Sequence, residues 1–292
     1  MQTNFFTSVL YGRKPAGSLT GLIFNLPGKR SKSIWPMTFD ALKALEALDL
    51  KADWIGLREV KEETSYNSVR DRHPEENSHS STHGVMIEVL ADGRFAYACT
   101  NRLEAGEIRQ VAQDALKRAK SGVGPPAAEF TDAVRPAHRG SYRSPSVTER
   151  ADLSPRRLYE ILNNISEALK FSDAVISTSA TALLTNSRTR FVSTNGADFE
   201  QTFSYVSTDF GASAREGEII QRRTDGGMFA HSFQGGLELL EEEMLLERAR
   251  RVGSEAVELL RAEECPSETM DLVLAPDQMM LQIHGMLKRM IM

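Results

Sequence analysis

The residue best placed to do chemistry is His284. It closes the run Asp271-Leu272-Val273-Leu274-Ala275-Pro276-Asp277-Gln278-Met279-Met280-Leu281-Gln282-Ile283-His284. That run reads as a buried strand, a Pro turn and a helix that delivers an imidazole. An imidazole on a helix suits a metal ion. A catalytic zinc takes three protein ligands and keeps a fourth position for water. The metal lowers the pKa of that water, and a carboxylate removes its proton. His284 supplies one ligand, and no cysteine follows it. On residues alone, His284 is expected to be a packed or solvated helix histidine with no metal bound.

The other candidates are weaker. His79 and His83 are four apart, but Ser80, Ser81 and Thr82 between them point to a polar loop. His73, His138 and His231 are isolated. The Gly-rich segment from Asp225 to Gly236 lacks the Gly-Lys-Ser/Thr that closes a phosphate loop, so a hinge is the expected use. Glu241-Glu242-Glu243 reads as a solvated helix face. Asn164-Ile165-Ser166 matches a glycosylation pattern inside an expected helix and is set aside.

The positioning elements must come from a chain of 292 residues, enough for about two domains. A net charge of −5 gives no general attraction to nucleic acid. The two cysteines, Cys99 and Cys265, are read as buried or incidental thiols of a reducing compartment, not a disulfide framework. No apolar run approaches the roughly 18–20 residues that span a bilayer. Residues 1–36 contain no Asp or Glu but include Arg13, Lys14, Lys29, Arg30 and Lys32. They are read as a disordered extension, or as sequence upstream of a natural start at Met37, in preference to a transit peptide.

The pattern predicts a helix over Met37–Leu50, capped by Thr38 or Asp40, and a strand over Asp53–Val60. A polar loop with His73, Pro74, His79 and His83 is expected next. Residues 84–90 and 94–99, joined by Asp92-Gly93, form the strongest hairpin signal. A helix over Leu103–Lys120 follows, capped by Thr100 or Asn101 and ending at Gly122. Residues 122–153, rich in Pro, Ser, Gly and Arg, read as a linker. Ser154-Pro155 opens a helix to about Phe171. Strands are then expected over 174–185, 189–194, 197–214 and 218–223. Their turns fall at Asn186-Ser187-Arg188, Asn195-Gly196 and Glu216-Gly217. A helix over about Glu238–Glu263 follows. The helix-plus-meander pattern recurs loosely.

From about Met37 to His284 these landmarks resemble the TldD/PmbA family of metallopeptidases. The likeness is carried by the hairpin leading to Ala98-Cys99-Thr100-Asn101 and a helix, by Ser193-Thr194-Asn195-Gly196 with Glu200-Gln201, by Gly226-Gly227, by Cys265-Pro266 and by Leu272-Val273-Leu274-Ala275-Pro276. The last stretch is similar to the TldD branch, which carries a His-Glu-x-x-x-His helix that the PmbA branch usually lacks. His284 falls on the first motif histidine, Gly285 on the general-base Glu and Arg289 on the second histidine. Arginine keeps its proton and has no lone pair for a metal. The family's spacing of five turns the second histidine about 140° round an ideal helix, so it needs a local widening or break.

The resemblance implies an α+β fold: an N-terminal helix/hairpin/helix unit, then an antiparallel meander with long helices. It divides the chain into an extension (1–36), an N-terminal α+β domain (37–122), a linker (123–153), a central α+β domain (154–264) and the start of a metallopeptidase domain (265–292). The rest of the family's β-rich C-terminal domain is missing from this expectation. Implied too are zinc, held by two motif histidines and a downstream cysteine, and proteolysis of unfolded or modified peptides. Further implications are a homodimer or a TldD–TldE-like heterodimer, and the cytoplasm. The family also carries a label as DNA gyrase modulators, which nothing in the charge pattern extends to direct DNA contact. The expectation is a zinc metallopeptidase in truncated form, inactive alone. The alternatives are a non-catalytic peptide-binding or heterodimer partner subunit, and the product of a frameshifted gene. Without a C-terminal domain, Met279, Met280, Leu281, Met286 and Leu287 would form an apolar patch that favours association.

Overall fold

The computed structural model describes residues 39–122, 135–145, 154–227, 231–264, 266–269 and 271–291. The extension 1–36, most of the expected linker and Cys265 lie outside them. The elements in chain order are α1 (Ala41–Glu46), β1 (Trp54–Arg70), β2 (His73–Ala91), β3 (Arg94–Thr100) and α2 (Ala105–Ser121). After them come β4 (Arg139–Arg143), α3 (Pro155–Leu169), β5 (Val175–Ser193), β6 (Asp198–Glu216), β7 (Ile219–Thr224), β8 (His231–Gln234), α4 (Glu242–Glu258) and α5 (Pro276–Ile291).

Local chemistry explains most boundaries. Asp40 caps α1 by accepting from the Lys43 N–H, and Ser154 caps α3 through the Arg157 N–H with Pro155 in the first turn. Asp92 and Gly93 both take left-handed φ, 52° and 70°, as the two-residue turn between β2 and β3 requires. Asp71 and Arg72 make the same kind of turn between β1 and β2, with φ 49° and 66°, although neither is glycine. The Asp71 carboxylate accepts the Thr178 N–H at 2.6 Å and the Ser177 hydroxyl at 3.2 Å, so a contact remote in sequence offsets the local strain.

Several expectations are corrected. The strand beginning at Trp54 does not stop at Val60, and the expected polar loop holding His73, His79 and His83 is a ladder of β1 against β2. Residues 60–66 are partly exposed on both faces, so no polar–apolar alternation marks them. Asn186-Ser187-Arg188 make no turn. They sit mid-strand in β5, paired with β1 on one side and β6 on the other. Asp271–Leu274 form no strand, and Val273 is 93% exposed. Glu104, not Thr100 or Asn101, precedes α2. The first helix is shorter than expected, and 3-10 turns at Leu237–Leu240 and Leu259–Arg261 flank α4. Within the expected linker, β4 joins the sheet. Of the two readings of Cys99, buried or incidental, its exposure on β3 leaves the incidental thiol.

The described strands form one sheet with the order β3-β2-β1-β5-β6, and β4, β7 and β8 all pair with β6. A helix–three-strand–helix pattern occurs twice, as α1-β1-β2-β3-α2 and α3-β5-β6-β7-α4, with the short β8 inserted between β7 and α4 in the second copy. The two copies meet where β1 runs antiparallel to β5, with Thr64 opposite Thr185 near the middle. The loose recurrence in the sequence is thus a repeat in space.

Each copy buries its own core. Ile55, Leu57, Val85, Ile87, Val89 and Val192 pack under α1 and α2. Val69, Ala180, Ala182, Val206 and Phe210 pack under α3 and α4. Leu57 opposes Val192, and Val69 opposes Ala180. An even number of residues separates Leu57 from Val69, so both cores lie on one face of the sheet. Burial of each large apolar side chain contributes about 1.5–3 kcal/mol. α4 approaches α3 at Gly253, where a Cβ would meet the Leu169 carbonyl oxygen at 2.4 Å.

The opposite face carries Trp54, Leu90, Phe191 and Ala197 with Phe95 and Phe199. Arg135 lies over the Trp54 and Phe95 rings, 5.0 and 5.3 Å from their centroids, and pairs with the buried Glu88, which Arg58 also reaches. Between the two cores, hydroxyls and ion pairs replace apolar packing. Examples are Thr64 with Thr185 (3.4 Å), Arg188 with Glu200 (2.5 Å) and Arg190 with Asp198 (3.3 Å).

Candidate functional site

His284 sits on α5 and is exposed. Around it on the same helix Met279, Met280, Ile283 and Met286 are exposed too. Gly285, next to it, meets no other atom within 4 Å of where a Cβ would stand. Among the described residues, no three His, Cys, Asp or Glu side chains converge to hold a metal ion. The described donors therefore do not make up the three that a catalytic zinc needs.

The remaining histidines are dispersed. His79 and His83 share one side of β2, but four residues of strand separate them by about 13 Å, too far to share an ion. His79 contacts the Ser65 hydroxyl at 3.3 Å, and His83 Nε2 lies 2.8 Å from the Glu59 carboxylate. His73 Nδ1 is 2.7 Å from the Asp71 carbonyl oxygen. His231 Nε2 lies 3.5 Å from Asp225, whose carboxylate is almost wholly buried and also engages Arg248 and Arg251. The segment from Asp225 onward is thereby tied to α4 at its start, where sequence reasoning expected a hinge. His138 is exposed, and its carbonyl accepts the Asp198 N–H at the head of β4.

The more distinctive feature is an edge. The outer side of β6 is covered in succession by β4 at Asp198–Thr202, by β8 at Tyr205–Thr208 and by β7 at Gly211–Glu216. The outer side of β2 is covered by β3 only from Val85 to Ala91. From His73 to Gly84 no described strand pairs with it, and residues 73–82 are exposed. An uncovered strand edge presents main-chain donors and acceptors to any extended chain.

The direction of those groups follows from the ladder. The Leu90 carbonyl accepts the Asp53 N–H, so even-numbered residues of β2 turn their polar groups toward β1. The register is unbroken from Leu90 to Glu76. Asn77, His79, Ser81 and His83 therefore aim their N–H and C=O groups outward.

Carboxylates surround this edge. Glu62 and Glu63 lie on β1 opposite Thr82 and Ser81, and Glu76 follows the turn. Lys61 is 3.9 Å from Glu63, and Arg70 takes up Glu75 at 2.7 Å. Glu75 in turn raises the Arg70 guanidinium above its ordinary value. On the far strand, burial raises the Tyr205 hydroxyl, with Tyr142 and Glu62 adding to the effect. Sequence reading passed over the edge because Ser80, Ser81 and Thr82 look like loop residues. The signal available was the hydroxyl-rich, Lys- and Arg-free run following a long strand.

Comparison with known proteins gives matches along most of the chain. The model of PmbA/TldA metallopeptidase domain 1 matches residues 57–119, and that of the PmbA/TldA metallopeptidase central domain matches residues 149–262. A curated protein named Metalloprotease, from Methanothermobacter thermautotrophicus, is 28% identical over 243 residues, which is 80% of this chain and 49% of that protein. The chain thus spans about half the length of this relative. A crystal structure titled as a modulator of DNA gyrase, from Bacteroides thetaiotaomicron, aligns with TM-score 0.55 and 19% identity over 63% of this chain and 43% of its own. One from Thermotoga maritima with a similar title gives 0.52 and 17% over 73% and 46%. TldE from Thermococcus kodakarensis gives 0.53 and 15% over 70% and 44%. At these identities the structures share the fold.

Proposed function

The chain belongs to the PmbA/TldD metallopeptidase family, and on that premise we propose that it handles peptide substrates for zinc-dependent proteolysis but does not cleave them alone. The observation that carries this reading is order: domain 1, then the central domain, then a Pro-initiated helix bearing His284. The substrates are unfolded or modified peptides. We assign residues 37–122 and 154–264 to the two family domains and 265–292 to the start of the metal-bearing one.

Inactivity in isolation follows from residue chemistry. Gly285 has no carboxylate to take a proton from a metal-bound water. Arg289 has no lone pair for zinc. His284 supplies one of the three protein ligands that a catalytic zinc takes. The two-cysteine composition favours a reducing compartment, the cytoplasm. No described helix is long and apolar enough to cross a membrane. The exposed apolar residues of α5 favour an assembly, a homodimer or a heterodimer with a TldE-like partner.

Incubation of the purified chain with zinc and an unfolded fluorogenic peptide is expected to give no cleavage. Zinc-dependent, EDTA-sensitive cleavage by this chain would overturn the inactive assignment. Reading the gene beyond the Met292 codon in all three frames tests the family activity. A Glu, a second His and a β-rich tail with a cysteine support it, and stop codons with unrelated sequence count against it.

A second reading is a non-catalytic peptide-binding subunit. The specific observation in its favour is the edge of β2 that no described strand covers, since strand edges capture extended peptides by adding them to the sheet.

A further inference from the structure

Resting on that peptide-binding reading, we propose that the β2 edge from Asn77 to Gly84 docks an extended basic segment of a partner polypeptide, added to the sheet as a strand. The strongest support is internal. The two halves of the sheet repeat, and the stretch of β6 that follows its turn corresponds to the stretch of β2 that follows Asp71-Arg72. On β6 that stretch is filled by the chain itself. The fillers are β4, Arg139-Gly140-Ser141-Tyr142-Arg143, an extended basic strand lying parallel to Asp198–Thr202, and β8, His231-Ser232-Phe233-Gln234, antiparallel to Tyr205–Thr208. Arg139 anchors β4 by donating to the Gly196 carbonyl at 3.0 Å. Counted from the first residue of each strand, Asp198–Thr202 correspond to His73–Asn77, at the start of the uncovered stretch, and Tyr205–Thr208 correspond to Ser80–His83; among the described residues no strand pairs with the outer side of β2 at either place.

The carboxylates around the uncovered stretch give the preference for a basic strand. Asn77, His79, Ser81 and His83 offer outward main-chain groups in the alternating pattern that a strand needs. Glu59, Glu62, Glu63, Glu75 and Glu76 line β1 and β2 here against Lys61. Glu59 is engaged by His83, and Glu75 by Arg70. Glu63 is shared with Lys61 and Glu76 accepts from the Ser78 hydroxyl, while Glu62 also acts on the Tyr205 hydroxyl across β5.

Side-chain size decides access. An added strand lies about 4.8 Å beyond β2 and therefore about 9.6 Å from β1. A lysine or arginine on it can cross that gap only over a small neighbour. Ser81 stands opposite Glu63 on one face, and Thr82 stands opposite Glu62 on the other. Ser80, Ser81 and Thr82 thus leave both carboxylates reachable. An acidic segment would meet like charge on both faces, which is unfavourable for opposed strand pairs.

The test uses the full chain and labelled peptides of about ten residues, a usual strand length. Three alternate Thr with Lys, Gln or Glu, and binding is read by fluorescence anisotropy. The Lys peptide is expected to bind at least about tenfold more tightly than the Gln or Glu peptide, with the preference shrinking as salt screens it. Ser81→Pro removes an outward N–H while sparing the ladder to β1, and should weaken the Lys peptide at least about tenfold. The double change Glu62→Gln/Glu63→Gln should erase the preference for Lys while binding of the Gln peptide persists. If Ser81→Pro fails to fold by circular dichroism, Ser81→Arg replaces it, placing a fixed cation beside Glu63.

Binding of the Lys peptide that is unchanged in both Ser81 variants overturns the site. Equal binding of all three peptides, weakened by Ser81→Pro, overturns the basic preference and leaves peptide capture standing. No binding of any peptide overturns the proposal and the peptide-binding reading together. None of these outcomes bears on cleavage, so the peptidase reading fails or survives by its own assay.

Discussion

The indole N–H of Trp54 donates to Oδ1 of Asn195 at 3.0 Å, joining the first residue of β1 to the turn between β5 and β6. The Asn195 amide in turn donates to the Arg135 carbonyl at 3.0 Å, and Arg135 covers the Trp54 ring. One side chain therefore positions the aromatic cluster, the hairpin turn and the segment leading to β4. Asn195→Ala removes the acceptor of a largely buried indole N–H and the donor to a carbonyl. The expected loss is about 1–3 kcal/mol of stability, the usual cost of leaving such groups unsatisfied. Urea unfolding checks it, and an unchanged midpoint would remove Asn195 from this role.

Asp225 anchors the start of the segment leading to β8. Asp225 is 2% exposed, and its carboxylate engages Arg248 and Arg251 of α4 and lies 3.5 Å from His231. Arg248 also lies over the Phe210 ring, 5.3 Å from its centroid. Asp225→Ala leaves the Arg248 cation without its buried counter-ion, a change that costs about 3–5 kcal/mol in comparable settings. Limited proteolysis should then cut within residues 225–236 before α4 is lost. Wild-type resistance in that segment would show that the tie contributes little.

Glu242, the first residue of α4, gives a pH-dependent contribution. Asn164 donates to it at 2.6 Å and Arg157 at 2.8 Å. These hydrogen bonds, together with the Arg157 charge, hold its carboxyl below the ordinary value of 4.5. A lowered folded-state value stabilises the fold above the ordinary carboxylate range, and the gain is lost as pH falls through the lowered value. Wild type should exceed Glu242→Gln by about 0.2–1 kcal/mol at pH 7, the range for a partly exposed pair. The difference should vanish in strong acid. A constant difference between the two proteins across that range would show that ionisation is not the source.

The legible parts of the fold were those written in local chemistry. Asp92-Gly93 announces its turn because only such residues take two left-handed conformations readily. Ser154-Pro155 announces α3 because serine caps a free N–H of the first turn and proline has none there to satisfy. The Asp71-Arg72 turn was hidden because its support, Thr178, lies more than a hundred residues away. The middle of β1 and β5 was hidden because both faces are polar, which erases the two-residue period. The opposite error occurred at Asp271–Leu274, where an apolar run suggested a buried strand and the described residues pair with none. His284 was legible as a helix residue, but whether one histidine forms a site depends on partners that local sequence does not supply.

The geometry of α5 gives a test of how the helix treats metals. It is α-helical from Pro276 to Ile291. Residues four apart on such a helix point within about 40° of each other, whereas residues five apart diverge by about 140°. Lys288→His should pair with His284 on one side of the helix and form the two-histidine arrangement that zincins use. Arg289→His restores the second histidine of the family motif but aims it away from His284. By calorimetry, Lys288→His should bind zinc roughly tenfold more tightly than Arg289→His, a difference of about 1.4 kcal/mol. Neither variant should cleave peptide, because Gly285 still supplies no base. Tighter zinc binding by Arg289→His would mean that the helix widens or breaks after His284 in solution, the departure that the motif's spacing needs.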